Sequence, residues 1–229
     1  MAAQMSTRIS FVVIDLHTHT FLSDGVLLPE ELVRRCEVAG YRGVVIADHV
    51  GLSNVEAVVA AAARLAESMK GVSRARVVAG AELTHVPPRL AQATAEAARK
   101  AGARIVVGHG ETLAEPVAPG SNRAYIEAGV DLLAHPGLIS LEDARLAAER
   151  GVCLEISTRR GHCYANGHVV RMSRETGAKV ALCTDSHHYE DLVSREKAAL
   201  IARGAGMTEP EIAQMFLCAE EVFLRGEQR

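Results

Sequence analysis

Short apolar runs, many of them rich in β-branched residues, alternate along the chain with longer Ala-rich segments of helical periodicity. Because these runs are continuously apolar, they predict strands buried on both faces, as in a parallel sheet covered by helices. The predicted strands are residues 11–15, 44–47, 77–81, 105–107, 132–134, 153–156 and 180–183. The predicted helices are residues 29–39, 55–70, 89–101, 121–128, 142–150, 168–176, 195–202 and 209–217.

A glycine follows most of the predicted helices and leads directly into the next strand. Glycine easily adopts the left-handed conformation that ends a helix, so these positions mark helix–strand junctions. About seven such units favour an α/β fold in which parallel strands close into a barrel, with an open doubly wound sheet as the alternative. Without a linker to divide it, the chain is expected to form a single domain over residues 1–229, with residues 1–10 disordered or loosely attached.

The composition narrows the class of protein. Of 229 residues, 48% are hydrophobic and only 3% are aromatic, which suits one core of aliphatic side chains. A net charge of −3 argues against a general surface for nucleic acid. No two of the five cysteines form a C-x-x-C pair, so we expect reduced thiols and a cytoplasmic protein. We expect neither a signal peptide nor a membrane-spanning segment.

Ionisable side chains follow nearly every predicted strand, at the end where parallel barrel strands meet one rim. His17 and His19 follow the first strand, and Asp185 and His187 follow the last. In extended backbone, residues i and i+2 point the same way, so each pair can reach one ion. The other strand ends carry Asp48, His49, Glu82, His109, Glu111, His135 and Glu155. Histidines with carboxylates suit Zn, Mn or Fe at a hydrolytic site, and so many ligands indicate more than one ion.

In this order, these residues resemble the motifs of the polymerase-and-histidinol-phosphatase (PHP) superfamily. The matching motifs are Asp15-x-His17-x-His19-Thr20, Ser23-Asp24-Gly25, Asp48-His49, Glu82, His109, His135 and Asp185-x-His187. The resemblance implies a distorted (β/α)7 barrel, similar to a TIM barrel, with two or three divalent metal ions. Carried over by motif, the first ion would be held by His17, His19, Glu82 and Asp185, the second by Glu82, His109 and His135, and the third by Asp24, His49 and His187.

Several residues near these motifs have open or supporting roles. Asp24 stands where the family often has histidine, and its Ser-Asp-Gly sequence also fits a plain turn. Asp15 and Asp48 are expected to orient ligating imidazoles through hydrogen bonds. His85 is interpreted as a loop residue, and His188 is expected to point away from the ions. The roles left open are those of Glu111, Glu155, His162 and His168.

The resemblance further implies hydrolysis of a small phosphomonoester, such as L-histidinol phosphate, by a metal-activated hydroxide. Uncatalysed hydrolysis of phosphate monoesters is extremely slow, and a cluster of cations neutralises the phosphoryl oxygens. Asp185, or a metal-bound water, is the candidate acid that assists the leaving alkoxide. Arg159 and Arg160, in the loop after the sixth strand, are candidates to bind the phosphate because guanidinium groups match its oxygens.

Three other functions stay open at this point. A metal-dependent amidohydrolase also uses a His-x-His strand end, but it commonly adds a lysine at a middle strand end, and none is predicted here. A nuclease or phosphodiesterase acting on nucleotide or nucleic-acid ends is disfavoured because the chain lacks a basic stripe. A purely structural metal domain is disfavoured because structural zinc sites are closed and four-coordinate. We therefore expect a small phosphorylated substrate as the partner, and neither nucleic acid nor a membrane.

Overall fold

The computed structural model describes residues 13–229, so the expectation for residues 1–10 lies outside the described residues. The strands are β1 (Val13–Thr18), β2 (Tyr41–Ile46), β3 (His49–Val50), β4 (Arg76–Leu83), β5 (Ile105–His109), β6 (Leu132–Ala134), β7 (Cys153–Ser157) and β8 (Val180–Cys183). The helices are α1 (Pro29–Val38), α2 (Val55–Met69), α3 (Ala91–Ala101), α4 (Ser121–Glu127), α5 (Leu141–Arg150), α6 (Asn166–Thr176), α7 (Arg195–Gly204) and α8 (Glu209–Gln228).

The strands form one parallel sheet that closes almost completely into a barrel. Its order is β1-β2-β4-β5-β6-β7-β8, and the short strand β3 continues β2 beyond a break and pairs with β4. A parallel bridge between Thr18 and Ser186 joins the two ends of the sheet. The register between β1 and β2 also shifts along their length. The prediction of a single-domain, distorted barrel of seven parallel strands with alternating helices is thus confirmed, and the open-sheet alternative is wrong.

Local sequence signals explain where the helices begin and end. Gly102 and Gly151 adopt φ angles of 113° and 67° just after α3 and α5, a conformation that costs a residue with a Cβ. At the start of α8, Thr208 and Glu211 form a capping box that satisfies otherwise unpaired backbone N–H groups. Among residues 13–229, no helix combines the length and the apolar character that crossing a bilayer requires.

Helix α8 closes the end of the barrel opposite the predicted ligands. It was predicted to end at residue 217 and instead continues to Gln228, so that boundary was wrong. The reason is a further buried stripe, in which Cys218, Ala219, Val222 and Phe223 pack with the small aliphatic side chains inside the barrel. The Phe223 ring fills the space beside Gly43, where an added Cβ would lie 2.8 Å from ring carbon Cζ.

We expect Phe223→Ala to lower the free energy of unfolding by about 3–5 kcal/mol, because it leaves a cavity in a core that cannot fully collapse. Phe223 is 0% exposed, whereas its neighbour Leu224 is 37% exposed. Leu224→Ala is therefore the control, with an expected loss of about 1 kcal/mol. Urea denaturation followed by circular dichroism measures both losses. Equal losses for the two variants would contradict the packing role of α8.

Candidate metal centre

The carboxyl ends of the strands bring the predicted ligands together at one rim of the barrel. Most of these side chains are buried, namely those of His17, His19, Glu82, His109, His135 and Asp185. Asp24, His49 and His187 lie closer to solvent at the edge of the same cluster. The structure thus collects all the predicted ligands in one place, from strands spread over the whole chain.

The innermost group surrounds the end of β1. His17 Nε2 lies 2.9 Å from His19 Nε2, so the two imidazoles face each other as the i, i+2 spacing predicts. Glu82 Oε1 lies 3.3 Å from His17 Nε2, and Asp185 Oδ1 lies 3.2 Å from His19 Nε2. Two imidazole nitrogens and two carboxylate oxygens therefore point into one small volume.

A second group shares the Glu82 carboxylate. Ligand atoms of Glu82, His109 and His135 lie within 4.8 Å of one another. His135 Nε2 is 3.7 Å from Glu82 Oε1 and also 3.7 Å from Asp185 Oδ2. This arrangement places Glu82 between two sets of imidazoles, as a bridging carboxylate would be.

The third group lies at the outer edge, where the role of Asp24 was open. Asp24 Oδ1 is 3.0 Å from His187 Nε2 and 3.3 Å from His49 Nε2, and His19 completes a cluster of potential ligands. Partial burial raises the pKa of Asp24, but its hydrogen bonds to the two outer imidazoles hold that pKa well below its ordinary value. The Ser-Asp-Gly turn therefore carries a carboxylate that faces two histidines.

Three non-glycine residues among those described adopt a positive φ angle, and all three lie at this rim. The angles are 28° for His135, 51° for Asp185 and 50° for His85. Such conformations cost about 1–3 kcal/mol each and persist where the surrounding structure imposes them. Two of these residues are predicted ligands, so the strained backbone at the rim directs their side chains into the cluster.

Glu155, whose role was open, orients His17. Its Oε2 lies 2.7 Å from His17 Nδ1, and both side chains are fully buried. An imidazole whose Nδ1–H donates to a carboxylate keeps the Nε2 lone pair free for an ion. Burial lowers the pKa of His17, but the surrounding carboxylates, chiefly Glu82, together hold it well above its ordinary value.

Asp15 and Asp48 do not orient imidazoles, which corrects the expectation from the sequence. Asp15 accepts hydrogen bonds from the Thr184 hydroxyl at 2.5 Å and from backbone N–H groups, and burial raises its pKa to about 6. Asp48 accepts hydrogen bonds from the Thr20 N–H and hydroxyl and from the Ser23 hydroxyl. Both carboxylates instead fasten backbone segments together across the rim, which fixes the positions of the ligands between them.

The donor set fits divalent metal ions. Among the described residues, two buried carboxylate oxygens of the cluster have no hydrogen-bond partner, namely Glu82 Oε1 and Glu155 Oε1. An unpartnered buried polar atom costs about 1–3 kcal/mol, and more when it is charged. The Glu82 oxygen is the most telling of these, because a cation between the facing imidazoles would satisfy it. The oxygen and nitrogen donors suit Zn, Mn or Fe.

Of the two candidate phosphate ligands, one reaches the cluster. Arg159 donates a hydrogen bond to the Asp185 carbonyl at 2.9 Å and contacts His187 Nδ1. Its Nε lies 3.8 Å from Asp185 Oδ2. Arg160 is exposed on the same loop. A guanidinium group thus lies beside the predicted ligands of the first and third ions.

Two further residues reach the cluster: Glu115, which no sequence motif indicated, and His162, whose role was open. Glu115 carries no sequence signal, because it follows no strand directly and belongs to no motif. Its carboxylate contacts His85, His109 and His162. The buried His162 contacts the Thr112 hydroxyl at 2.8 Å through Nδ1 and lies 3.9 Å from Asp185 Oδ2 through Nε2.

Glu111 and His168, whose roles were open, and His188, which was expected to point away from the ligands, make contacts outside the ligand cluster. Glu111 accepts hydrogen bonds from two backbone N–H groups at the start of α4. His168 contacts the Ile139 carbonyl at 2.8 Å. His188 accepts a hydrogen bond from the Glu190 N–H and precedes a short 3-10 helix, so its ring serves the backbone there.

Comparison with known proteins agrees with this architecture. Residues 15–195 match the model of the PHP domain. An uncharacterized protein of Methanocaldococcus jannaschii is 42% identical over 205 residues, which cover 89% of this chain and 94% of that protein.

Two solved structures share the fold at low sequence identity. Histidinol phosphate phosphatase of Lactococcus lactis, in complex with Zn, L-histidinol and phosphate, aligns with a TM-score of 0.58 at 17% identity over 85% of this chain and 94% of that chain. An amidohydrolase from an environmental sample of the Sargasso Sea aligns with a TM-score of 0.55 at 17% identity over 94% of this chain and 66% of that chain. Because the domain match covers most of the residues, the chain belongs to the PHP-domain family, and this membership supports a metal-dependent hydrolase.

Proposed function

We propose that this centre hydrolyses a small phosphomonoester, with L-histidinol phosphate as the leading candidate. The observation that carries the proposal is the position of Arg159, whose guanidinium lies beside Asp185 and His187 at the rim of the ligand cluster. A fixed guanidinium next to metal ions matches the several oxygens of a phosphoryl group better than the single oxygen of an amide. The Lactococcus lactis relative, which binds L-histidinol and phosphate, supports the choice of first candidate.

The proposed ions occupy the three groups described above. Their ligands are His17, His19, Glu82 and Asp185 for the first ion, Glu82, His109 and His135 for the second, and Asp24, His49 and His187 for the third. Three sets of ligand atoms within 4.8 Å of one another support this division, namely those of His17, His19 and Glu82, of Glu82, His109 and His135, and of Asp24, His49 and His187 together with His19. Asp185 adjoins the first set, with its Oδ1 3.2 Å from His19 Nε2. When bound, Zn, Mn or Fe neutralises phosphoryl oxygens and lowers the pKa of water so that hydroxide forms near neutral pH.

The chain's own residues position the substrate and handle the leaving group. Arg159 binds phosphoryl oxygens, whereas Arg160, which is exposed on the same loop, remains a second candidate for this role. Asp185 directs Oδ1 towards His19 at 3.2 Å and Oδ2 towards His135 at 3.7 Å. We assign to Asp185 the donation of a proton to the ester oxygen as the bond between phosphorus and that oxygen breaks. The oxygen of water forms the new bond to phosphorus, and the proton that this water releases replaces the one that Asp185 donates to the leaving alcohol.

The proposed setting is the cytoplasm, with a small-molecule substrate. All five cysteines are free, which fits a reducing compartment. A net charge of −3 fits a small phosphorylated substrate better than nucleic acid. Neither feature bears on the oligomeric state.

The direct test is an assay for released phosphate with protein loaded separately with Zn, Mn and Fe. The substrates are histidinol phosphate, other phosphomonoesters including nucleotides, and phosphodiesters, with a panel of amides in parallel. We expect phosphate release from at least one phosphomonoester, at a kcat/KM above that for any diester or amide. Metal-loaded protein that cleaves amides or diesters and no monoester would refute the proposal.

We expect His17→Ala to reduce bound metal and phosphatase activity together while the fold persists, because His17 serves the first ion and the barrel core lies elsewhere. Elemental analysis by mass spectrometry measures the metal, and circular dichroism checks the fold. Unchanged metal content in the folded variant would show that the first site is assigned wrongly.

Glu155→Gln tests whether a carboxylate must hold His17. Loss of the charged partner of the Nδ1–H weakens the imidazole as a ligand, so we expect metal affinity or activity to fall by about 10- to 100-fold. Competition with a chromogenic chelator measures the affinity. Glu149→Gln, on the exposed face of α5, is the matched control and should equal the wild type. An equal affinity in Glu155→Gln would refute the orienting role.

Arg159→Lys keeps the positive charge and removes the planar, two-pronged donor. We expect KM for the phosphomonoester to rise by at least about tenfold, which corresponds to roughly 1.4 kcal/mol of lost binding. Steady-state kinetics at saturating metal provide the measurement, with the exposed Arg145→Lys as control. If KM and inhibition by inorganic phosphate both stayed at wild-type values, Arg159 would have no phosphate role.

A further inference from the structure

The loop between β5 and α4 holds Glu115 in a defined position. Glu111 Oε1 accepts hydrogen bonds at 3.0 Å from the N–H groups of Gly120 and Asn122, and Asn122 Oδ1 accepts one at 2.9 Å from the Glu111 N–H. These contacts clamp the two ends of the loop together. Thr112 is fixed in addition by its contact with the buried His162. The loop therefore presents Glu115 to the rim from a clamped base.

The Glu115 carboxylate faces imidazole nitrogens with both of its oxygens. Oε2 lies 3.2 Å from His109 Nε2 and 3.0 Å from His85 Nε2, and Oε1 lies 3.4 Å from His162 Nε2. Potential ligand atoms of Glu115, His85 and His109 lie within 4.8 Å of one another. Because His109 is also assigned to the second ion, the Glu115 carboxylate lies next to that ion's position.

The second ion has room for a further protein ligand. Its assigned donors are one carboxylate and two imidazoles, so a fourth protein donor would complete a tetrahedral set, or would join a water in a five-coordinate one. His162 lies beside this group, with its ring centroid 4.2 Å from that of His135. Glu115 is thus placed between His109 and His162, on the side of these imidazoles that faces solvent.

The conformation and contacts of His85 are a second observation that the Glu115 carboxylate is held in a defined position. It has the same unusual backbone conformation as His135 and Asp185, with a φ of 50°. Its Nε2 lies against the same Glu115 oxygen that faces His109. His85 follows β4, the strand that carries the bridging Glu82, so it approaches Glu115 from the neighbouring strand end.

We propose that Glu115 is an additional ligand of the second ion and that His85 is a positioning residue that holds its carboxylate. The inference rests on the proposed second site, which it extends from three protein ligands to four. Glu115 is 37% exposed, so this ligand is the one at the solvent side of the ion. Glu115 therefore contributes to the affinity for the metal, whichever phosphoester is the substrate.

The test measures metal binding rather than turnover. Wild type and variants are stripped of metal, reloaded with Mn, and titrated with a competing chelator while the ions per chain are counted. We expect Glu115→Gln to lose one ion at a chelator concentration at least about tenfold lower than wild type, with the other ions retained. His85→Gln should weaken the same ion, and to a smaller extent. Glu142→Gln, exposed on α5, is the control and should match wild type.

Anomalous scattering from crystals of the Mn-loaded wild type locates the ion. We expect a peak within about 2.2 Å of a Glu115 oxygen and of the nearest nitrogen of His109. A peak that His109 and His135 share without Glu115, or equal affinities in Glu115→Gln and wild type, would overturn the inference and leave the proposed function intact. Wild-type protein that binds no ion at this position would overturn both the inference and the proposed second site.

Discussion

The charge buried at the mouth of the barrel is the constraint on which the site depends. Glu82, Glu155 and Asp185 are nearly inaccessible to water, and burying an uncompensated carboxylate costs several kcal/mol. The imidazoles around them compensate only in part: burial and neighbouring histidines lower the pKa of both His19 and His135 well below the ordinary value. Divalent cations would balance this charge and use the same atoms as ligands, which supports the assignment of these side chains to a metal centre.

The barrel separates this costly site from the elements that stabilise the fold. At one end, α8 packs Phe223 and its neighbours into the barrel interior. At the other end, Asp15 ties the end of β1 to Thr184, and Asp48 ties the loop after β2 to Thr20. These contacts hold backbone segments far apart in sequence at fixed separations. The predicted ligands between them are therefore positioned by rigid structure, as a functional site requires.

Much of this organisation could be predicted because it is encoded locally. Continuous apolar runs and helix-ending glycines predict the barrel, and parallel strands bring residues such as His17 and Asp185 to one rim. The predictions that failed concern contacts between residues that only the folded chain brings together. Asp15 binds Thr184, which is 169 residues away, so its partner could not be inferred from spacing. Glu115 reaches the cluster only because of the course of its loop. The family match supports the hydrolase class, whereas the substrate depends on side chains at the rim.

Thermal unfolding, with metal analysis of the same samples, measures whether metal ions balance the buried charge. Protein purified with Zn or Mn is compared before and after removal of the metal by a chelator, and again after reloading. We expect at least two ions per chain, a fall in Tm when they are removed, and recovery of Tm on reloading, because ions that bind only the folded state stabilise it. A chain that binds no ion, or a Tm that is the same with and without bound metal, would show that metal ions do not balance the buried charge.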